Sequence, residues 1–238
     1  MAAKKNVLEF ISSIKAQKRR ELSELEAKNL ISLWGIQTTR AELAHDVSEA
    51  VKLAREIKYP VVLKVASPDI IHKSDVRGVK VGLSSEFDVK HAFEEIMANV
   101  RAYKPNANVL GVTVQEYVPP AKEVVVGMIR DKTFGPTVMF GLGGVWVDVM
   151  KDVNFRLAPL TREDALEMIS EVKGYALLLG TRGSPPADIE ALADIIQKVG
   201  QLAVEVPEIV EIDLNPVFVF DKDKGAIAVD ARIVLRGG

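Results

Sequence analysis

One loop of this chain gathers the residue types that proteins use to hold phosphate. Residues 67–78 (SPDIIHKSDVRG) contain the cations Lys73 and Arg77 and end in Gly78, and Lys64 lies just before them in an apolar stretch. Cationic side chains, with backbone N–H groups that glycine leaves accessible, suit the charge of a polyphosphate. A solvated surface loop would have a similar composition. Lys64 argues against that alternative, because lysine rarely interrupts an apolar strand without a partner.

His72 lies in the same loop and is one of three histidines in the chain. His45 precedes a predicted helix and His91 lies on a charged helix face, so we interpret both as solvated. The cations around His72 favour a neutral imidazole, which is the nucleophilic form. A lone histidine is more often structural than catalytic, so the residues alone leave both interpretations open.

A second group of polar residues lies near the C-terminal end, in EIDLNP (211–216) and VDAR (229–232). Strand alternation places Asp213 and Asn215 on one face, with Glu211, and Asp230 lies on the next predicted strand. Oxygen ligands from two adjacent strands suit a magnesium ion that also keeps phosphate oxygens and water. A polar outer strand face would explain Glu211 equally well, but it explains Asp230 poorly because its neighbours are apolar.

Two further segments could contact a nucleotide. Glu116 and Val118 end one predicted strand and Glu123 begins the next, so a hairpin there could offer backbone groups to an adenine and a carboxylate to a ribose. Any hairpin offers as much. The glycines of residues 141–144 (GLGG) follow a strand, but they lack the Rossmann spacing and the chain has no Walker lysine–serine pair, so a tight turn is an equal alternative.

Hydrophobic periodicity predicts the elements that position these residues. The predicted helices are Leu25–Trp34, Asp46–Ile57, Glu86–Tyr103, Thr161–Leu179 and Pro186–Val204. The predicted strands are Ile36–Arg40, Pro60–Ala66, Val79–Leu83, Leu110–Val118, Lys122–Arg130, Thr133–Phe140, Ile209–Phe220 and Ala226–Val234. Short turns between consecutive strands after residue 110 indicate an antiparallel sheet. The order is that of an α+β protein with two lobes, and a cleft between lobes is a common ligand site.

The composition limits the function classes. The chain has 238 residues, 48% hydrophobic and 27% charged, with a formal net charge of −2, so no global basic field attracts nucleic acid or anionic lipid. It contains no cysteine, which excludes disulfides, thiolate metal sites and cysteine nucleophiles. Its apolar runs are shorter than a membrane span and its basic N-terminus lacks a signal-peptide core, so we expect a cytoplasmic protein.

Taken in order, the motifs resemble a known family. Lys64, SPDIIHKSDVRGV, QEYVPPAKEVVVGMIRD, FGLGG, VNFRLAPL, EIDLNPV and VDARI are together similar to the ATP-grasp subunit of ADP-forming acyl-CoA synthetases (acetate–CoA ligase, ADP-forming), relatives of succinyl-CoA synthetase. The resemblance covers residues from about Glu21 onward. It implies an ATP-grasp fold with an N-terminal extension (1–20), a small lobe (21–105) and a large lobe (106–238). The nucleotide would lie in the cleft between the two lobes.

The resemblance also implies roles for individual residues. The nucleotide would be bound by Lys64, Glu116, Val118, Glu123, Lys73, Arg77 and Arg232, and magnesium by Asn215, Asp230 and Asp213. Arg156, like Arg232, would make phosphate or interdomain contacts. His72 matches a histidine of this family that is absent from succinyl-CoA synthetase, and it would carry a phosphoryl group between a partner's phosphohistidine and ADP or ATP.

A partner is implied because the chain lacks a Rossmann-type CoA-binding domain and a second histidine loop. We expect a CoA-binding alpha subunit carrying a phosphohistidine, in a heterotetramer of two copies of each chain. The alternatives are another ATP-grasp carboxylate ligase, or a nucleotide-sensing module without turnover. Lys64, Asn215 and Asp230 argue against the sensor, which needs no metal at a transferring phosphate. The acyl group, the choice of adenine or guanine and the direction of the reaction are not specified by these residues.

Overall fold

The computed structural model describes residues 2–70, 72–144, 152–180 and 183–237. The helices are α1 (Ala2–Ala16), α2 (Glu24–Leu33), α3 (Val47–Ile57), α4 (Glu86–Tyr103), α5 (Arg162–Ser170), α6 (Tyr175–Leu178) and α7 (Ile189–Glu205). The strands are β1 (Ala41–Ala44), β2 (Val61–Ala66), β3 (Val79–Leu83), β4 (Gly111–Glu116), β5 (Lys122–Asp131), β6 (Gly135–Leu142), β7 (Val153–Leu157), β8 (Ile209–Val219), β9 (Ala226–Ala228) and β10 (Arg232–Leu235). Residue 71, inside the candidate phosphate loop, lies outside the described residues.

The chain divides into two compact units. The small unit comprises Thr39–Pro119, and the large unit comprises Met1–Thr38 and Pro120–Gly238. This division differs from the predicted boundaries at 20/21 and 105/106. The small unit extends further because β4 pairs with β1 and β2. The first 38 residues belong to the large unit because α1 and α2 bury apolar side chains in its core.

Capping residues define the starts of the helices. The Ser23 hydroxyl accepts a hydrogen bond from the Glu26 N–H, and the Glu26 carboxylate accepts one from the Ser23 N–H (2.7 Å), so α2 begins with a capping box. The side chains of Asp46 and Ser85 cap α3 and α4 in the same way, each accepting from the N–H three residues on. These local signals are why the predicted helices α2, α3 and α4 are confirmed within a residue or two.

The small unit is an antiparallel sheet in the order β1–β4–β2–β3 with two helices. Val61, Leu63 and Val65 alternate along β2 onto the face that packs with α3 and α4, and all three are fully buried. The residues between them, among them Lys64, therefore lie on the opposite face of this sheet.

The large unit contains a second antiparallel sheet, in the order β10–β8–β5–β6–β7 with β9 also paired to β8. One face packs against α7, and its core includes Val126, Phe140 and Leu214. The other face, which carries Ile129, Phe155 and Asp213, is called here the open face; Ile129 and Phe155 are 52% and 50% exposed.

Several predicted elements differ from the structure. The strand predicted at Leu110–Val118 does not join the two that follow it in one sheet; it forms β4 in the small unit. The last predicted strand is divided into β9 and β10, β1 begins at Ala41 rather than at Ile36, and β7 was not predicted. The helix predicted at Thr161–Leu179 is interrupted, because the Gly174 N–H donates to the Asp152 carboxylate (2.9 Å) instead of continuing α5. No helix among the described residues combines the length and apolarity that a bilayer-spanning segment needs.

Candidate functional site

The end of β8 presents three polar side chains on the open face. Ile212 and Leu214 are buried in the core, so Glu211, Asp213 and Asn215 point to the opposite side by strand alternation. Glu211 and Asp213 thus share a face as the alternation predicts, and the metal-binding role of the motif stays a prediction. Asn215 is exposed, and Asp213 is partly buried.

Asp230 lies where β8 changes its pairing partner. Residues 217–219 of β8 pair with β9 and residues 209–213 pair with β10, so Asn215 and Pro216 lie opposite the short connection that contains Asp230. The Val229 N–H donates to the Pro216 carbonyl (3.0 Å), and the Asp230 carboxylate accepts from the Ala231 N–H (2.8 Å). The interruption of the ladder therefore places the two predicted metal ligands, Asn215 and Asp230, across from each other.

The electrostatics of this region favour a bound cation. The pKa of Asp213 is raised from its ordinary value, first by burial and then by the negative charges of Glu211 and Asp230, while Arg232 lowers it. Asp213 and Asp230 are therefore close enough to repel each other. A divalent cation among these oxygens would offset that repulsion.

The donor set fits magnesium. Asp213, Asp230 and Asn215 offer two carboxylates and one amide, all oxygen donors, and no sulfur or imidazole lies among them. Magnesium typically takes one or two carboxylates and completes its shell with phosphate oxygens and water. A cage formed by three or more His, Cys, Asp or Glu side chains is not present in the described part of the chain. The arrangement therefore suits a metal that arrives with a nucleotide.

Arg232 lies beside these residues but is already paired. Its Nε donates to Glu21 Oε1 (2.6 Å) and its Nη1 donates to Glu211 Oε1. These contacts raise the pKa of Arg232, the Glu21 hydrogen bond most of all. The predicted phosphate contact by Arg232 thus stays a prediction for a side chain held by two glutamates.

Arg156 lies elsewhere. Its guanidinium forms an ion pair with Glu171 (2.6 Å) at the end of α5, and the neighbouring Asn154 donates to the Met168 carbonyl of that helix. Both side chains therefore point to the helix-covered face of the sheet, whereas Asp213 lies on the open face. In this structure Arg156 joins β7 to α5 and does not reach the candidate metal ligands.

The glycine-rich loop after β6 holds Glu123. The Gly143 N–H donates to the Glu123 carbonyl (2.7 Å), and a Cβ on Gly143 would lie 2.9 Å from the Glu123 carbonyl carbon. A Cβ on Gly144 would lie 3.3 Å from Glu123 Oε2. Gly143 is therefore required by a close approach of two backbones, and Gly144 lies against the carboxylate of the predicted nucleotide contact Glu123.

The small unit holds Lys64 in a buried polar row. Lys64, Thr113 and Gln115 share the face of the sheet opposite its apolar core, and they are only 7%, 3% and 1% exposed. The Thr113 hydroxyl donates to the Lys64 carbonyl (3.2 Å) and the Gln115 amide donates to the Thr113 hydroxyl (3.1 Å). The three residues therefore form a buried polar row that includes one cation, on the strand where the sequence predicts a phosphate contact.

Thr113 and Gln115 were not recognised in the sequence. The signal was present, because Thr113 and Gln115 alternate with Val112 and Val114 in β4, but each polar residue alone is compatible with an ordinary solvated strand face. The burial of Thr113 and Gln115 distinguishes a buried polar row from a solvated strand face. Burial depends on the tertiary fold, so the neighbouring residues in the sequence do not reveal it.

Glu116 and Val118 end the small unit. The Glu116 N–H donates to the Arg40 carbonyl (2.8 Å), and the Glu116 carboxylate accepts from the Arg40 N–H (3.3 Å). Val118 is partly buried and immediately precedes the division at Pro119/Pro120. The backbone of this segment is therefore ordered by its pairing with residue 40, and the Glu116 side chain is already engaged.

The loop that carries His72 is anchored at both ends and exposed in the middle. Ile70 and Val76 are buried in the core of the small unit, and the Gly78 N–H donates to the Lys73 carbonyl (2.8 Å). A Cβ on Gly78 would lie 2.7 Å from Val65 Cγ1, so only glycine fits there. His72 itself is exposed.

The two remaining cations of the loop differ in their exposure. Arg77 is exposed and its carbonyl accepts from the Asn99 side chain (3.4 Å), whereas Lys73 is partly buried. The structure thus collects Asp213, Asn215, Asp230, Arg232 and Glu123 in the large unit. It collects Lys64, His72, Lys73, Arg77, Glu116 and Val118 in the small unit.

The chain was compared with known proteins. The ATP-grasp domain family matches residues 13–235. The chain is 54% identical to the acetate–CoA ligase [ADP-forming] I subunit beta of Pyrococcus furiosus, over 95% of this chain and 97% of that one. It is 46% identical to acetate–CoA ligase [ADP-forming] I of Archaeoglobus fulgidus, over 99% of this chain and 36% of that longer one.

A solved structure gives the same result. The chain superposes on acetyl-coenzyme A synthetase 1 of Candidatus Korarchaeum cryptofilum with a TM-score of 0.84. That structure is a complex with coenzyme A and Mg-AMPPCP, with the phosphohistidine segment pointing towards the nucleotide binding site. The identity is 48%, over 97% of this chain and 100% of that one. The chain belongs to the ATP-grasp family, among the beta subunits of ADP-forming acetate–CoA ligases.

Proposed function

We propose that this chain is the nucleotide-binding subunit of an ADP-forming acetyl- or acyl-CoA synthetase, an acid–thiol ligase that is active only with a partner subunit. The complete enzyme interconverts acyl-CoA, ADP and phosphate with acid, CoA and ATP. The observation that supports this most strongly is the opposed pair Asn215 and Asp230 at the interruption of the β8 ladder. Oxygen donors from two adjacent strands in that position suit a metal–nucleotide complex.

Different residues of this chain would bind the metal, the phosphates, the adenine and the ribose. Asn215 and Asp230, with Asp213 beside them, would hold magnesium, which neutralises charge on the transferred phosphoryl group. Lys64, which belongs to the small unit, would neutralise a phosphate of the nucleotide. The Glu116–Val118 backbone would meet the adenine edge. Glu123, held by Gly143, would face the ribose or close the site. Lys73 and Arg77 would offset charge at the His72 loop.

The reaction on this chain is a phosphoryl transfer. In the direction of ATP synthesis, the N–P bond of a partner phosphohistidine breaks while a new N–P bond forms on His72. His72 loses the proton of its second ring nitrogen, and the donor imidazole takes up one proton. The N–P bond on His72 then breaks as a β-phosphate oxygen of ADP bonds to phosphorus, and His72 takes up a proton again. The exposed position of His72 on an anchored loop supports this carrier role.

The partner would be a CoA-binding alpha subunit that carries the first phosphohistidine. In the Archaeoglobus relative this chain matches only 36% of a longer polypeptide, so there the equivalent of this chain is joined to further sequence. We propose that a separate chain supplies that part here, in a heterotetramer with two copies of each subunit.

Calorimetry tests the nucleotide and metal assignment. The wild-type chain should bind ADP with magnesium and lose at least about tenfold in affinity without it, since the metal links the carboxylates to the phosphates. Asp230→Ala should abolish that difference. Asp194→Ala is a matched control, because Asp194 pairs with Lys198 on α7 away from the open face (2.7 Å). Equal ADP affinity with and without magnesium in the wild type would refute the assignment.

A further inference from the structure

The connector between α1 and α2 runs along the edge of the sheet that carries the metal ligands. The Leu22 N–H donates to the Ile233 carbonyl (3.1 Å) and the Leu235 N–H donates to the Arg20 carbonyl (2.7 Å). Glu21 forms an antiparallel bridge with Val234 between these two bonds. The connector is therefore a short additional strand beside β10, and its backbone position does not depend on the Glu21 side chain.

The Glu21 side chain reaches across β10 to Arg232. The guanidinium is held from two sides, by Glu21 at 2.6 Å and by Glu211 of β8. Charge-assisted hydrogen bonds of this length are among the stronger polar contacts in proteins, and two of them fix the plane of the guanidinium. The three side chains are each between a third and a half exposed, so their contribution to folding stability is small.

Arg232 is also the cross-strand neighbour of Asp213. The two residues are directly paired in the β8–β10 register, and side chains in such pairs lie on the same face within contact distance. A guanidinium released from Glu21 can turn towards Asp213 and form an ion pair with it. Such an ion pair would compete with a metal for the same carboxylate.

The geometry points to Glu21 as a positioning residue for the candidate magnesium site: by holding Arg232, it keeps the guanidinium from occupying the Asp213 carboxylate. This inference rests on the proposed function, because it assigns Asp213 to a metal–nucleotide complex. Glu21 acts through Arg232 in this account and is not itself proposed as a ligand of the metal or the nucleotide. The N-terminal connector thereby contributes to the site although it lies about 190 residues before Asp213 in the sequence.

The test is the magnesium dependence of ADP binding, measured by calorimetry on the full chain. Glu21→Gln should raise the magnesium concentration at half-maximal ADP binding about three- to fivefold, which is what one partly exposed ion pair supports. ADP affinity in the presence of a chelator and the thermal midpoint of unfolding should stay at their wild-type values. An unchanged magnesium midpoint in Glu21→Gln would overturn the inference.

A matched control distinguishes two roles of the connector: holding the Arg232 guanidinium through Glu21, or merely fastening the chain in place. Arg19 and Glu26 form an ion pair of the same length (2.6 Å) at the same connector, but this pair joins it to α2 and not to Arg232. Glu26→Gln should therefore leave the magnesium midpoint unchanged. An equal shift in Glu26→Gln would show that the connector acts only as a tether.

A double substitution identifies the route. If Glu21 acts through Arg232, then Glu21→Gln should have no further effect on the magnesium midpoint in an Arg232→Met background. A full additional shift in that background would refute the route through Arg232. Absence of any magnesium-dependent ADP binding in the wild-type chain would instead refute the proposed function, and this inference with it.

Discussion

Lys64 is a single residue of an unusual type for its place, and it marks a candidate phosphate contact. It interrupts an apolar strand, it is 7% exposed, and it shares its face with the buried Thr113 and Gln115. A buried cation in a row of buried polar side chains is an unusual feature of a sheet face. It is the feature on which the proposed phosphate contact of Lys64 rests.

Replacing that charge should weaken nucleotide binding. We expect Lys64→Met to reduce ADP affinity by about tenfold or more, since a charge-assisted hydrogen bond contributes roughly 1.5–3 kcal/mol. Calorimetric titration with ADP measures it. Lys28→Met is the matched control, because Lys28 is also buried (4% exposed) and its ion pair with Glu24 (3.0 Å) lies on α2, outside the proposed site. Equal losses of affinity in both variants would contradict a direct role for Lys64.

Glu26 makes a pH-dependent contribution to stability. Burial opposes ionisation of its carboxyl, but the hydrogen bonds from Arg19 and Ser23 outweigh it and lower the pKa below the ordinary value. The stabilisation is therefore complete above the unfolded pKa of about 4.3 and is lost as pH falls through the lower folded pKa. Urea unfolding of wild type and Glu26→Gln should differ by up to about 1 kcal/mol at neutral pH, an amount limited by partial exposure, and should converge in acid. A difference that grows as the pH falls would contradict the assignment.

The elements show which local signals are sufficient and which are not. Capping residues and periodicity predicted α3, β3 and α4 closely, because each carries its own start, stop and apolar face. The assignment of β4 to a sheet failed, since strand pairing depends on partners distant in the sequence. The division of the last strand into β9 and β10 was missed for the same reason. It arises where β8 passes Asn215 and Pro216, at the candidate site, and local residues there continue to look like one strand.

The glycine loop after β6 was left as either a tight turn or a functional loop, and the structure makes it a support for Glu123. Gly143→Ala should therefore displace Glu123, because the new Cβ would meet its backbone at 2.9 Å. We expect ADP affinity to fall several-fold and stability to fall by about 1–3 kcal/mol, the usual range for overpacking.

Gly200→Ala is the control for the strain itself. Gly200 lies in α7, and its Cβ would meet Leu160 Cδ1 at 2.8 Å inside the core rather than any atom of Glu123. Stability should fall by a similar amount, while ADP affinity, measured by calorimetry below the unfolding range, should stay at the wild-type value. An unchanged affinity in Gly143→Ala as well would show that Glu123 has no part in the site.

For the whole molecule, the sequence identified the family, whereas the division of the chain into two units differs from the predicted boundaries. Two crossings, at Thr38/Thr39 and Pro119/Pro120, separate the units, and neither has a glycine-rich or low-complexity linker. Proline appears at only one of them. Residues 1–20 were set apart as an extension and the next helix was assigned to the small lobe, whereas the apolar faces of α1 and α2 both complete the core of the large unit.

The chain alone should not form acyl-CoA. Neither unit has the glycine signature of a dinucleotide- or CoA-type Rossmann domain, and the proposed reaction needs a phosphohistidine from the partner. With ATP, CoA and a short acid, mass spectrometry should detect acyl-CoA only after the purified alpha subunit is added. Acyl-CoA production by this chain by itself would contradict the two-subunit account.

Transfer of label through histidine tests the central proposal most directly. The reconstituted complex is incubated with ATP labelled at the γ-phosphate and magnesium, quenched in alkali to preserve phosphohistidine, and the label is mapped by subunit. We predict label on a partner histidine and on His72, and none on this chain in His72→Ala, which should still bind ADP with magnesium. Label confined to the partner at every time point in the wild-type complex would refute the carrier role of His72. Consumption of ATP with acyl-CoA formation but no phosphohistidine on either subunit would contradict the account as a whole.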